Sequence, residues 1–153
     1  MVTFMTRITK DEYYLNIALA VSKRSTCLKR HYGCVIVKGD VIVATGYNGS
    51  PRGETNCCDT GICGRQNCER YTGYENCVAV HAEQNALIAA SRNDIIGSTV
   101  YLACEEGSWE NANIRYYYKW KEDTNPVPCN ICAKMLKNAG VARVVNRSGE
   151  ICL

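Results

Sequence analysis

The sequence predicts one α/β domain spanning residues 1–153, a mixed central β-sheet with helices on both faces and the element order αββαβαβ. Three observations carry that prediction. An amphipathic helix opens the chain, a β-hairpin follows it, and helix and strand patterns then alternate to the end.

Thr9 with Glu12 three residues later forms a capping box. Tyr14, Ile17, Ala18 and Val21 then recur at helical spacing, which gives a first helix over 10–23. Gly33–Val37 and Val41–Ala44 are β-rich runs separated by the turn residues Lys38-Gly39-Asp40. Residues 46–77 are rich in Gly, Asn, Cys and charge without sustained periodicity, so a long functional loop is expected there, Cys-rich at about 50–78. His81–Arg92 reads as a helix, Thr99–Cys104 as a strand, Cys129–Asn138 as a helix stopped by Gly140, and Ala142–Asn146 as the last strand. Between strand and helix, residues 105–127 exceed the roughly 12–15 residues usual for a connection and read as a functional insertion.

Eighteen Lys and Arg against fifteen Asp and Glu leave a formal charge of +3, too little for a dedicated nucleic-acid binder but compatible with a small anionic ligand. No apolar run is long enough for a membrane span and Met1–Lys10 lacks a secretory core, so a cytoplasmic protein is expected. Eleven cysteines then read as metal thiolates in a reducing compartment, not as a disulfide framework.

The chemistry concentrates in His81, at the start of one predicted helix, and Cys129 and Cys132, at the start of another and introduced by Pro128. One imidazole and two thiolates give zinc three protein ligands and leave the fourth tetrahedral position open, as in catalytic sites. A helix N-terminus lowers the cost of thiolates, and the spacing of three places both sulfurs on one side of a turn. Glu83, two positions after His81, is the candidate proton carrier.

His-x-Glu followed by Pro-Cys-x-x-Cys is the general signature of zinc nucleobase deaminases. With Arg24-Ser25-Thr26-Cys27, Gly46-Tyr47-Asn48-Gly49-Ser50-Pro51 and His81-Ala82-Glu83-Gln84-Asn85-Ala86, the chain resembles the cytidine and deoxycytidylate deaminase superfamily from about Tyr13 to Val145, most closely its deoxycytidylate branch. The resemblance implies a three-layer cytidine-deaminase-like fold and zinc-dependent deamination of dCMP to dUMP and ammonia, feeding dTMP synthesis. It also implies activation by dCTP and inhibition by dTTP, with Mg2+ accompanying the triphosphate, and a homo-oligomer such as a hexamer. Substrate contacts are expected at Asn48, on the sugar, and at Ala82. Arg24, Ser25 and Thr26 are the candidates for the phosphate, and Tyr47, Gly49 and Arg92 for effector or subunit contacts. Other readings are a deaminase of dCTP or of both nucleotides, a polynucleotide-editing deaminase, and a non-catalytic zinc module. Glu83 speaks against the last.

Cys34 and Cys104 lie in predicted strands as small hydrophobes, and Cys152 is at the tail. Five thiols from 57 to 77 call for a structural zinc to organise their loop. Some deoxycytidylate deaminases carry such a second zinc, and Cys27 and Cys57 resemble two of its ligands. Ala79 departs from those relatives, and the expected set here is Cys27, Cys57, Cys63 and Cys77, with Cys58 and Cys68 as substitutes. In the insertion, Trp109–Trp120 contains Arg115, Tyr116, Tyr117, Tyr118 and Lys119, a mixture suited to covering a nucleotide, meeting a second subunit or stacking on single-stranded bases.

Overall fold

The computed structural model describes residues 4–69, 72–109 and 118–153. Helix α1 is Lys10–Ser22, and Thr9 caps it by accepting from the Glu12 N–H at 3.1 Å. Strands β1 (Arg30–Lys38) and β2 (Val41–Tyr47) form the expected hairpin. Its two turn residues, Gly39 and Asp40, have φ of 57° and 62°, the left-handed pair that a two-residue turn needs. Asp40 tolerates this conformation while its carboxylate accepts from the Tyr14 hydroxyl at 2.7 Å and pairs with Lys10 at 2.6 Å.

The loop after β2 holds a single helical turn, α2 (Cys57–Thr60), and a 3-10 turn at Tyr74–Asn76. Then come α3 (Ala82–Ala89), α4 (Arg92–Ile95), β3 (Thr99–Trp109), β4 (Tyr118–Asp123), α5 (Asn130–Ala139), β5 (Arg143–Asn146) and β6 (Gly149–Ile151). The sheet order is β2-β1-β3-β5-β6. β1 runs antiparallel to β2 and β3, β3 is parallel to β5, and β6 turns back on β5.

Side-chain alternation divides the core into two layers. Val35, Val37, Tyr101, Ala103 and Val145 pack with Tyr14, Leu15 and Ala18 of α1. Cys34, Ile36, Val100, Leu102 and Val144 pack with Ala82 and Ala86 of α3 and Leu136 of α5. The result is the expected three-layer arrangement, with α3 and α5 side by side on one face. Cys34 and Cys104 are fully buried and Cys152 is exposed, as their positions predicted.

Three expectations need correction. The helix read over 81–92 is two: α3 ends at Ala89, and Ser91 starts α4 by accepting from the Asp94 N–H at 3.2 Å. The insertion is not a plain loop, because β3 runs on to Trp109 and β4 pairs antiparallel with it, from Cys104 opposite Asp123 to Trp109 opposite Tyr118. β6 is a further strand, so αββαβαβ omits two strands, the single turn α2 and the separate α4. Arg115, Tyr116 and Tyr117 lie outside the described residues.

Candidate active site and metal centre

Two helix starts meet at the site. His81 is the N-cap residue of α3, and its N–H donates to Gln84 Oε1 at 2.9 Å. Cys129 is the N-cap residue of α5, where its sulfur accepts from the Cys132 N–H at 3.4 Å. His81 Nδ1 lies 3.5 Å from Cys129 Sγ and 3.4 Å from Cys132 Sγ. In tetrahedral zinc with Zn–S of about 2.3 Å and Zn–N of about 2.0–2.1 Å, nitrogen and sulfur stand about 3.5 Å apart, so the three side chains fit that ion. Their ligand atoms all lie within 4.8 Å of one another, and no other group of three among the described residues reaches that spacing. Burial and the neighbouring Glu83 push the Cys132 thiol up, so its thiolate needs a cation beside it.

Glu83 belongs to the first turn of α3 and is 4% exposed. Burial raises its carboxyl above the ordinary carboxylate range, against the pull of its own backbone N–H and of His81. A carboxyl held out of water beside a group of metal-ligating side chains is suited to exchange a proton with a bound reactant.

The position of α3 is set by β2. A Cβ at Gly46 would stand 2.3 Å from the Ala82 carbonyl oxygen and 2.4 Å from the Ala86 nitrogen, so only glycine permits this approach. Asn85 Nδ2 donates to the Tyr47 carbonyl at 2.8 Å. A bridge between Gly49 and Val80, with N–H···O distances of 3.1 and 2.8 Å, fixes the residue before His81.

Asn48 is buried and already engaged. Its Oδ1 accepts from the Tyr32 N–H at 2.8 Å and its Nδ2 donates to the Arg30 carbonyl at 2.9 Å. Ser25 Oγ accepts from the Cys27 N–H at 3.2 Å and Thr26 Oγ1 from the Ser50 N–H at 3.3 Å, while Arg24 is exposed. Ala82 is fully buried below the site, Gly49 is buried against Thr26, and Tyr47 and Arg92 are exposed.

Cys27, Cys57, Cys63 and Cys77 line one small cavity with Thr26, Gly49 and Ser50. Burial raises the Cys57 thiol, and the other three sulfurs raise it further. Cys58 is exposed beside the Asp59 carboxylate, and Cys68 packs against Gly73; neither lines the cavity.

Spacing did not reveal a polar group on the sheet face that carries α3. Arg30 Nη1 donates to Tyr32 Oη at 2.7 Å and Arg30 Nη2 to Asp123 at 2.8 Å. On the other face His31 stacks on Trp120 with ring centroids 3.6 Å apart. The available signal was the alternation of Arg30, Tyr32, Cys34 and Ile36 along one strand.

Comparison with known proteins agrees with this geometry. The family model described as the cytidine and deoxycytidylate deaminase zinc-binding region matches residues 8–147. The chain is 36% identical over 137 residues to deoxycytidylate deaminase of Schizosaccharomyces pombe, covering 88% of this chain and 36% of that protein, so it spans about a third of that relative's length. With deoxycytidylate deaminase of Mycobacterium phage D29 it shares 35% identity over 145 residues, 92% of this chain and 96% of the phage protein. The dCMP deaminase of cyanophage S-TIM5 superposes in its apo form with a TM-score of 0.58 at 29% identity, over 88% of this chain and 79% of that one. Its complex with dCMP and dUMP gives a TM-score of 0.57 at 27% identity, over 91% and 82%. The chain therefore belongs to the cytidine and deoxycytidylate deaminase family.

Proposed function

We propose that the protein is a zinc-dependent deoxycytidylate deaminase that converts dCMP and water to dUMP and ammonia. The observation that carries the reading is His81 Nδ1 at zinc-ligand spacing from both Cys129 and Cys132, with buried Glu83 in the same helical turn. The phage relatives of similar length carry that activity in their names, and one was crystallised with dCMP and dUMP.

When bound by His81, Cys129 and Cys132, zinc supplies a Lewis acid that lowers the pKa of a coordinated water toward neutrality. Glu83 accepts a proton from the attacking water and delivers it to N3 of the cytosine ring. With the water oxygen now bonded to C4, Glu83 carries that hydroxyl's remaining proton to the exocyclic amine, which leaves as ammonia while the C4 carbonyl of dUMP forms. Asn48 keeps one N–H and one lone pair beyond its two strand bonds, enough for a sugar hydroxyl. The Arg24–Thr26 turn holds the 5′-phosphate, with Arg24 as the cation. In support, Thr26 bonds to Asn48 and Ser50, whose neighbour Gly49 is bridged to Val80 beside His81.

The reading extends to a structural zinc at Cys27, Cys57, Cys63 and Cys77, supported by the cavity they share, although no three of these sulfurs stand at ligand spacing here and binding would have to draw them together. It extends also to a homo-oligomer, supported by exposed Ile88 on α3 and exposed Ile131 and Met135 on α5, two helices joined by the Gln84–Met135 contact at 3.7 Å. The reading also includes control by dCTP and dTTP with Mg2+, through Tyr47, Gly49 and Arg92, as the resemblance to the deoxycytidylate branch implies.

The test is ammonia release from dCMP, dCTP, deoxycytidine and single-stranded DNA, with and without dCTP or dTTP as effectors. Turnover of dCMP is expected, with Glu83→Ala keeping its zinc but losing activity and Cys129→Ala losing one zinc equivalent. Silence on all four substrates, or full turnover by Glu83→Ala, overturns the reading.

A further inference from the structure

We propose that Tyr32 is a specificity-determining wall of the nucleotide pocket, held rigid by Arg30 and, through it, by Asp123 of the inserted β4 strand. The inference rests on the deaminase reading and refines it by assigning the size limit of the pocket to a residue outside the deaminase motifs.

Alternation along β1 puts Arg30, Tyr32, Cys34 and Ile36 on the face covered by α3 and α5. Cys34 is buried in that core and Tyr32 packs against it. Tyr32 stands opposite Cys104 in the middle of β3, and Cys104 in turn stands opposite Asp123, at the end of β4 that leads toward α5. Tyr32 packs against the cluster that contains Ala82, the residue between His81 and Glu83, and its backbone is bonded to Asn48, which puts the ring on the sheet side of the site. Burial pushes its phenol up.

Three contacts remove its freedom. Asn48 Oδ1 accepts from the Tyr32 N–H at 2.8 Å and fixes the backbone. The Tyr32 hydroxyl accepts from Arg30 Nη1 at 2.7 Å, and the Arg30 guanidinium lies 5.7 Å from the ring centroid. Asp123 accepts from Arg30 Nη2 at 2.8 Å, and Glu106 lies 3.5 Å from the same nitrogen, which orients the guanidinium from β3 and β4. A side chain gripped at both ends cannot rotate to admit a larger ligand, and such a wall discriminates by clash. The insertion thus acts on the pocket through its strand, whatever its remaining residues do.

The experiment measures kcat and KM of the zinc-loaded protein for dCMP, 5-methyl-dCMP and CMP, in wild type, Tyr32→Val, Tyr32→Phe and Asp123→Asn. Tyr32→Val is expected to raise the kcat/KM of at least one bulkier nucleotide relative to dCMP by about tenfold or more, the scale of a methyl-sized change in a fitted pocket. Tyr32→Phe and Asp123→Asn, which keep the ring but release its grip, are expected to move the same ratio in the same direction by less. Both should also raise KM for dCMP more than they lower kcat. The two conservative variants decide the matter if Tyr32→Val does not fold. Folded variants that all keep both ratios within about twofold of a wild type active on dCMP overturn this inference alone. A wild type inactive on all three nucleotides overturns the deaminase reading and this inference with it.

Discussion

Replacing Gly46 by alanine tests whether the sheet sets the position of α3, the helix that carries His81 and Glu83. The added Cβ would stand 2.3 Å from the Ala82 carbonyl oxygen and 2.4 Å from the Ala86 nitrogen, backbone atoms that cannot swing aside. Moving the oxygen out to 3.0 Å requires α3 to retreat by 3.0 − 2.3, about 0.7 Å, and ordinary contact at 3.4 Å requires 3.4 − 2.3, about 1.1 Å. His81 and Glu83 travel with α3, whereas Cys129 and Cys132 stay with α5. Functional constellations tolerate about 0.5 Å, and a misplacement of about 1 Å costs on the order of 10²-fold in rate. The expected result is therefore a loss of about 1–3 kcal/mol in stability, weaker retention of zinc and a kcat/KM lower by about 10²-fold. Urea denaturation, competition with a chromogenic chelator and steady-state ammonia release read the three effects. A variant with wild-type stability, zinc affinity and rate would refute the argument that this contact fixes α3.

Asn48→Ala removes two hydrogen bonds to β1 and leaves the Tyr32 N–H without its partner, so a loss of about 2–3 kcal/mol is expected in urea melts without nucleotide; unchanged stability would leave Asn48 with no structural role. The hydrogen bond from Arg143 holds the Asp11 carboxyl below the ordinary carboxylate range. That stabilisation is complete above the unfolded value of about 4 and disappears as pH falls through the lower folded value. Asp11→Asn should cost about 1 kcal/mol at neutral pH, a figure kept small because the carboxylate is 39% exposed, and the gap should close in acid. Thermal melts across pH check it, and a gap independent of pH would refute the assignment. Cys57→Ser should lower total zinc from two equivalents to one or less by metal analysis, whereas unchanged zinc would remove the four-cysteine site.

Features written in local chemistry were legible in the sequence. The Thr9–Glu12 cap, the Gly39-Asp40 turn and the Gly140 stop each act within a few residues, and the structure places the corresponding boundaries within a residue or so. The metal triad was legible for the same reason, since each part depends on the first turn of a single helix. Strand β4 was not. Tyr118–Asp123 is mostly charged and acquires its strand identity from β3 and from partners far along the chain, such as Arg30 with Asp123 and Arg147 with Glu122. The break after α3 did have a local sign, Ser91 followed three residues later by Asp94, hidden inside an otherwise helical pattern. Asn48 shows a further limit: the family resemblance pointed toward a sugar contact, but no spacing could reveal that its amide first serves two backbone groups of β1.

The long segment between β2 and α3 also has a mechanical role that its composition does not suggest. His81 cannot be set by α3 alone, because a helix N-cap has extended backbone and takes its direction from the chain before it. Here that chain is Val80, tied to Gly49 in both directions, and the residues on either side of Gly49 are tied in turn to Thr26: its N–H donates to the Asn48 carbonyl and its hydroxyl accepts from the Ser50 N–H. Cys58 closes the chain of contacts by donating its N–H to the Thr26 carbonyl. Cys27 and Cys57 adjoin Thr26 and Cys58 in sequence, so the cavity of four sulfurs bears directly on the segment that aims the histidine. A cation there would brace His81 through backbone hydrogen bonds and not through any contact with the substrate, which makes catalytic-zinc retention, more than KM, the quantity that loss of Cys57 should disturb.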